Sequence, residues 1–129
     1  MDDPDIIKYA KQGDLKKVEQ CITNGHDINV TDQLYGCTSL MWASKNGHQP
    51  VVDSLIAAHA DLNVTDNDYG MTALMWASKN GHQPVVDSLI AAHADINVTN
   101  NWGWSALMYA SENGHQPVVD SLIAAHADI

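Results

Sequence analysis

Apolar residues fall in short clusters at helical spacing, and polar or glycine-containing breaks separate the clusters. Val51, Val52, Leu55 and Ile56 recur at the 3.6-residue period of one helix face. Pro50 stands just before them, where a first helical turn needs no N–H from it. Upstream, Leu40 to Lys45 form a second cluster, introduced by Thr38 as a plausible N-cap and closed by Asn46-Gly47. The polar stretch from Asn63 to Gly70 then turns the chain. The pattern predicts two short helices and a turn.

That unit recurs. Near-identical copies begin at Thr38, Thr72 and Ser105, offset by 34 and then 33 residues. The missing residue lies before a glycine, where TDQLYG and TDNDYG become TNNWG, which marks the connecting turn as the tolerant element. A divergent copy comes first. Ile6 aligns with Leu40, Gly13 with Gly47, Val18 with Val52, Cys21 with Leu55, and Asp27-Ile28-Asn29 with Asp61-Leu62-Asn63. The units are approximately 1–31, 32–65, 66–98 and 99–129 of a single domain.

The pattern G-x-T-A-L-M-x-A-S-x-x-G-H-x-x-V-V-x-x-L-I-x-x-H-A-D-x-N resembles the ankyrin repeat over essentially the whole chain. It departs in detail. Ser39, Ala73 and Ala106 replace the usual proline, and Met41, Met75 and Met108 the usual histidine. His59, His93 and His126 replace a glycine that Gly25 retains, which requires positive φ at those histidines. The resemblance implies an all-α ankyrin-repeat solenoid of four helix-turn-helix units, with hairpin loops projecting along one edge. It also implies a protein–protein interaction module, and it makes His48, His82 and His115 structural residues that hydrogen-bond backbone near the turns.

The end units differ from each other. Lys17 stands where Val51, Val85 and Val118 stand in the other copies, and Lys8 takes the place of Trp42, as a polar N-terminal cap requires. Asp3 is placed to cap the first helix and Pro4 to occupy its first turn. The last unit keeps the interior residues Val118, Val119, Leu122 and Ile123. The expectation is a monomer cut from a larger array; the alternative is self-association through this face.

Net charge is −10, with six lysines and no arginine. Four lysines (Lys8, Lys11, Lys16, Lys17) precede residue 23, leaving Lys45 and Lys79 against eleven acids. Such a surface repels a phosphate backbone, so nucleic acid is a poor partner and a neutral or basic protein a better one. No apolar run is long enough for a membrane span, and the acidic N-terminus lacks the basic-then-apolar order of a signal peptide. Cys21 and Cys37 have no metal or redox spacing. A cytoplasmic location is expected, with the nucleus or delivery into a host cell as alternatives.

The chemistry-bearing residues repeat too regularly for a catalytic site. Equivalent histidines in adjacent units are roughly 10 Å apart, whereas each zinc ligand sits about 2 Å from its ion. Ser44, Ser78 and Ser111 recur in all three near-identical copies, while a catalytic triad is a single asymmetric constellation. No enzyme activity, metal or cofactor is expected. Asn29, Asn63 and Asn97 match a glycosylation sequon, but the resemblance implies that they tie the turns together.

Where the copies differ, a binding surface is expected. Leu34 and Tyr35 become Asp68 and Tyr69, then Trp102; Cys37 becomes Met71, then Trp104. Trp42 and Trp76 become Tyr109, and Lys45 and Lys79 become Glu112. By the resemblance these positions are hairpin tips and the exposed face of the first helices, and they carry seven of the eight tryptophans and tyrosines. An aromatic surface fringed by Asp32, Asp66 and Asp68 suits a protein segment with apolar and basic residues. The alternative is a structural spacer in a larger repeat protein, with recognition elsewhere.

Overall fold

The computed structural model describes residues 2–129. Its helices run α1 Asp5–Gln12, α2 Leu15–Thr23, α3 Ser39–Lys45, α4 Gln49–Ala57, α5 Ala73–Lys79, α6 Gln83–Ala91, α7 Ala106–Glu112 and α8 Gln116–Ala124. Each spans seven to nine residues, and isolated helices below about 12–15 residues are marginal in water. Packing therefore holds them. Each helix pair forms one unit; α1, α3, α5 and α7 stack in one row and α2, α4, α6 and α8 in another. The first row is the more closely packed of the two.

Capping residues set the helix starts. Thr38, Thr72 and Ser105 accept hydrogen bonds from Met41 N, Met75 N and Met108 N at 3.2, 3.2 and 3.3 Å. Pro50, Pro84 and Pro117 occupy the opening turns of α4, α6 and α8. His59, His93 and His126 adopt φ of 67, 67 and 68°. The first helix departs from expectation. Pro4, not Asp3, is at its N-cap, without a side-chain cap, because Asp3 instead takes the Lys11 ammonium at 2.8 Å.

Between units the joints are polar and repeated. His48, His82 and His115 place Nε2 at 3.0, 3.0 and 2.9 Å from the carbonyls of Lys11, Lys45 and Lys79 in the preceding unit. Facing a carbonyl, Nε2 carries the proton. Asn46, Asn80 and Asn113 donate to the same three carbonyls. Helix-end carbonyls that lack intrahelical partners are thus satisfied by the neighbouring unit. Each ring also covers a glycine: a Cβ on Gly13, Gly47 or Gly81 would lie 2.6 Å from the ring's Nδ1. Asn29, Asn63 and Asn97 accept from Asp61 N, Asp95 N and Asp128 N, again across units.

The core follows the repeat, with Val51, Val52, Leu55, Val85, Val86 and Leu89 all fully buried. Lys17 is exposed where the later units bury valine, as a polar outer face requires. In the last unit Leu122 and Val118 are 0% and 1% exposed and neither lies on an open face: Val118 faces the preceding unit, as the exposed Lys17 at the same position of the first unit shows. Ile123, one of the expected residues, is exposed there at 46%, together with Met108 at 48%. Met41 and Met75, which the following unit covers, are buried.

Candidate functional site

A buried carboxylate organises each of the first two hairpins. Asp32 Oδ1 accepts from Tyr35 N at 2.8 Å and Cys37 N at 3.4 Å, while Trp42 Nε1 donates to its Oδ2 at 2.7 Å. Asp66 repeats this with Tyr69 N, Met71 N and Trp76 Nε1 at 3.0, 3.2 and 3.1 Å. Each acid ties its tip to the first helix that follows. Burial by itself would raise the Asp32 pKa, but the bonds from Trp42, Tyr35 and Cys37, with Lys11 nearby, hold it below the usual carboxylate range. Asp32 and Asp66 are therefore structural knots, and of the expected acidic fringe only Asp68 is exposed.

The fourth unit makes the same knot with different chemistry. Asn100 Oδ1 accepts from Trp102 N and Trp104 N, both at 3.0 Å. Its Nδ2 donates to Tyr109 Oη at 2.6 Å and faces Met71 Sδ at 3.3 Å. An indole can only donate and so needs an acceptor; a phenol oxygen can also accept, which suits an amide. Asp paired with Trp and Asn paired with Tyr are matched substitutions. The hairpin also closes one residue sooner, through Asn100 N to Trp104 O at 2.9 Å, so the deletion is absorbed locally.

Along the first helices the aromatic residues alternate with lysines. Lys11 Nζ lies 4.3 Å from the Trp42 ring centroid. Lys45 lies 5.0 Å from Trp42 and 4.5 Å from Trp76. Lys79 lies 5.3 Å from Trp76 and 5.7 Å from Tyr109. Cation–ring contacts are worth about 0.5–1 kcal/mol each when exposed and more when desolvated. The half-buried Lys45 and Lys79 therefore act as spacers between rings as well as surface charges. Glu112 occupies the next position in the series, is exposed, and ends the alternation.

The expected site residues separate by depth. Leu34 and Trp102 are 79% and 63% exposed, Tyr35 and Tyr69 are exposed beside them, and Trp42, Trp76, Trp104 and Tyr109 are half-buried. Met71, by contrast, is 1% exposed: it packs beneath the surface among the core residues and cannot present its side chain to a partner. Tyr35 meets Trp42 edge-on at 6.2 Å, Tyr69 lies against Trp102 at 4.8 Å, and Trp104 against Tyr109 at 5.1 Å. Successive tips are joined by Asn67 N to Tyr35 O and Asn101 N to Tyr69 O, at 2.8 and 2.9 Å.

Between the second and third units these side chains enclose a cavity of about 240 Å³. Tips and first helices both line it, through Tyr35, Trp42, Lys45, Asp68, Tyr69 and Trp76. Cys37, Met41 and Asp66 complete the lining. Cys37 varies between copies as the surface positions do, and Met41 stands out in the sequence only as a replacement for the usual histidine. Both are buried, and only the size change from Cys37 to Met71 hinted that space opens here. Burial, helped by the carboxylates of Asp32, Asp66 and Asp68 against an opposing Lys45, pushes the Cys37 thiol up to about 12. Among the described residues no group of three or more metal-ligating side chains converges, and no helix is long and apolar enough to cross a membrane.

A family model for three copies of the ankyrin repeat matches residues 6–100, and a single-repeat model matches residues 102–129. The chain belongs to the ankyrin-repeat family. Ankyrin repeats are protein–protein interaction modules rather than an enzyme family. A search of curated proteins finds no match to the chain.

Proposed function

We propose that this chain binds a protein partner along the inner face formed by the hairpin tips and first helices. The observation that carries the reading is where large apolar side chains remain in water. Among the described residues, apart from Met108, Ile123 and Ile129 in the last unit, the exposed large hydrophobics are Leu34, Tyr35, Tyr69 and Trp102, all on the tips. Rigid aromatic anchors over a supported scaffold are the composition of binding hot spots. The tips are held by the Asp32, Asp66 and Asn100 knots, so little ordering entropy opposes association. Trp42, Trp76, Trp104 and Tyr109 form the half-buried floor of this surface, and Lys45, Lys79, Asp68 and Glu112 supply its charges. The partner segment carries apolar residues for the tips and basic residues for the surrounding negative field.

The test uses a partner captured with the full chain and then purified. Tyr69→Ala together with Trp102→Ala should weaken its affinity at least about a hundredfold, as expected for two hot-spot truncations. Circular dichroism should stay unchanged. Undiminished affinity would place recognition elsewhere and favour a spacer role.

A further inference from the structure

The cavity between units two and three has an unusual floor. Cys37 lies there, where the next cleft has Met71 and the last unit Trp104. Met71 extends far enough to bring its sulfur to 3.3 Å from Asn100 Nδ2, and Trp102 covers Tyr69 at 4.8 Å. Side chains thus occupy in the second cleft what the shorter Cys37 leaves open in the first.

We infer that this cavity receives a single arginine side chain from the partner, a reading that rests on the inner-face binding proposed above. At about 240 Å³ the space falls below the ~300–1,000 Å³ usual for small-molecule and cofactor sites, and suits one long side chain. Its walls are the rings of Trp42, Trp76, Tyr35 and Tyr69. The indole faces already bind cations elsewhere in the chain, since Lys11 and Lys79 stack on Trp42 and Trp76. Two carboxylates, Asp66 and Asp68, face one ammonium, Lys45, so the lining is net negative. Asp66 is committed to Trp76, Tyr69 and Met71. Asp68 is exposed and its carboxylate has no hydrogen-bond or ion-pair partner among the described residues.

Arginine fits this arrangement better than the alternatives. Its guanidinium is planar, weakly hydrated and stacks on aromatic faces, and it meets a carboxylate through two parallel N–H bonds. A lysine ammonium is compact and strongly hydrated, and it meets a carboxylate as a point charge without a planar group to stack on the rings. A purely apolar side chain would leave Asp68 facing it without a counter-charge.

The experiment follows the four indole N–H signals of the ¹⁵N-labelled full chain by NMR. It is titrated with N-acetyl-arginine amide, its neutral isostere N-acetyl-citrulline amide, and N-acetyl-leucine amide. The arginine probe should shift the Trp42 and Trp76 signals and bind about tenfold more tightly than citrulline, the scale of a cation–ring contact plus an exposed carboxylate. Cys37→Met should abolish the shifts by filling the floor with the residue the next unit uses there. Asp68→Asn, on an exposed tip, should reduce the preference over citrulline to near unity and carries the test if the first variant fails to fold. Equal binding of citrulline or leucine would overturn the inference. So would arginine binding that survives Cys37→Met, or no shift up to the probe's solubility limit. Loss of partner affinity in the Tyr69 and Trp102 variants, alongside a failed arginine titration, would reject the arginine pocket and leave the inner-face reading standing.

Discussion

The joint between units can be tested by adding a single methyl group at three glycines of near-identical backbone geometry. Gly47, Gly114 and Gly25 have φ of 76, 74 and 81°. Alanine at any of them incurs the left-handed penalty of about 1–2 kcal/mol. At Gly114 and Gly25 the new Cβ meets nothing within 4 Å, so that penalty is the whole cost. At Gly47 the Cβ would lie 2.6 Å from His82 Nδ1. His82 cannot swing aside without losing its 3.0 Å bond to the Lys45 carbonyl. The clash adds about 1–3 kcal/mol of overpacking, or about 0.5–1.5 kcal/mol if the ring moves and the bond is lost. Gly47→Ala should therefore cost about 2–4 kcal/mol in urea unfolding followed by tryptophan fluorescence, with the m-value unchanged. Combining Gly47→Ala with His82→Ala should recover at least about 1 kcal/mol relative to the sum of the single losses. Equal destabilisation at Gly47 and Gly114, or strictly additive losses in the double variant, would refute the claim that His82 seats on Gly47.

Other consequences follow from the buried polar groups. The Asp32 pKa is lowered in the folded chain, so its contribution is present above the unfolded carboxylate pKa of about 3.9 and is lost as pH falls through the lower folded value. Asp32→Asn should flatten the fall in urea midpoint between pH 5 and 3, roughly, and cost about 1–3 kcal/mol at neutral pH by upsetting an ionised acceptor. Cys37, pushed up to about 12, and Cys21, raised by burial and by Asp5, should resist iodoacetamide in the native chain and react only on unfolding; rapid native labelling would contradict this. Ser44 and Ser78 are buried with hydroxyls that have no partner, so Ser78→Ala should be neutral or stabilising by up to about 1 kcal/mol in thermal unfolding. Met108→Lys with Ile123→Lys should leave the unfolding midpoint within about 0.5 kcal/mol of the parent, whereas Leu122→Lys, at a fully buried position, should unfold the last unit.

Repeat number, helix order, the tolerant turn and the Thr and Ser caps of the later units were legible in the chain because each depends on local spacing; the Asp3 cap was not, because a distant Lys11 takes that carboxylate. Thr38 before an apolar cluster, Pro50 in a first turn and Gly47 after a helix act within a few residues of themselves. The positive φ at His59, His93 and His126 was legible too, from the glycine that Gly25 keeps at the same repeat position. What spacing could not reveal was depth. Asp32 and Asp66 read as surface acids until the hairpin folds back and puts an indole N–H beside each, some ten residues later. Met71 and Cys37 vary as the exposed tips vary, yet they vary because they fill, or fail to fill, the clefts between units. The open face of the last unit shows the same limit: Leu122 looks interfacial in a repeat alignment but is buried, whereas Ile123 and Met108 are exposed. Local sequence thus determined the units, whose backbone choices are short-range. The tertiary stack alone decided which side chains face water, because burial depends on neighbours 30 or more residues away.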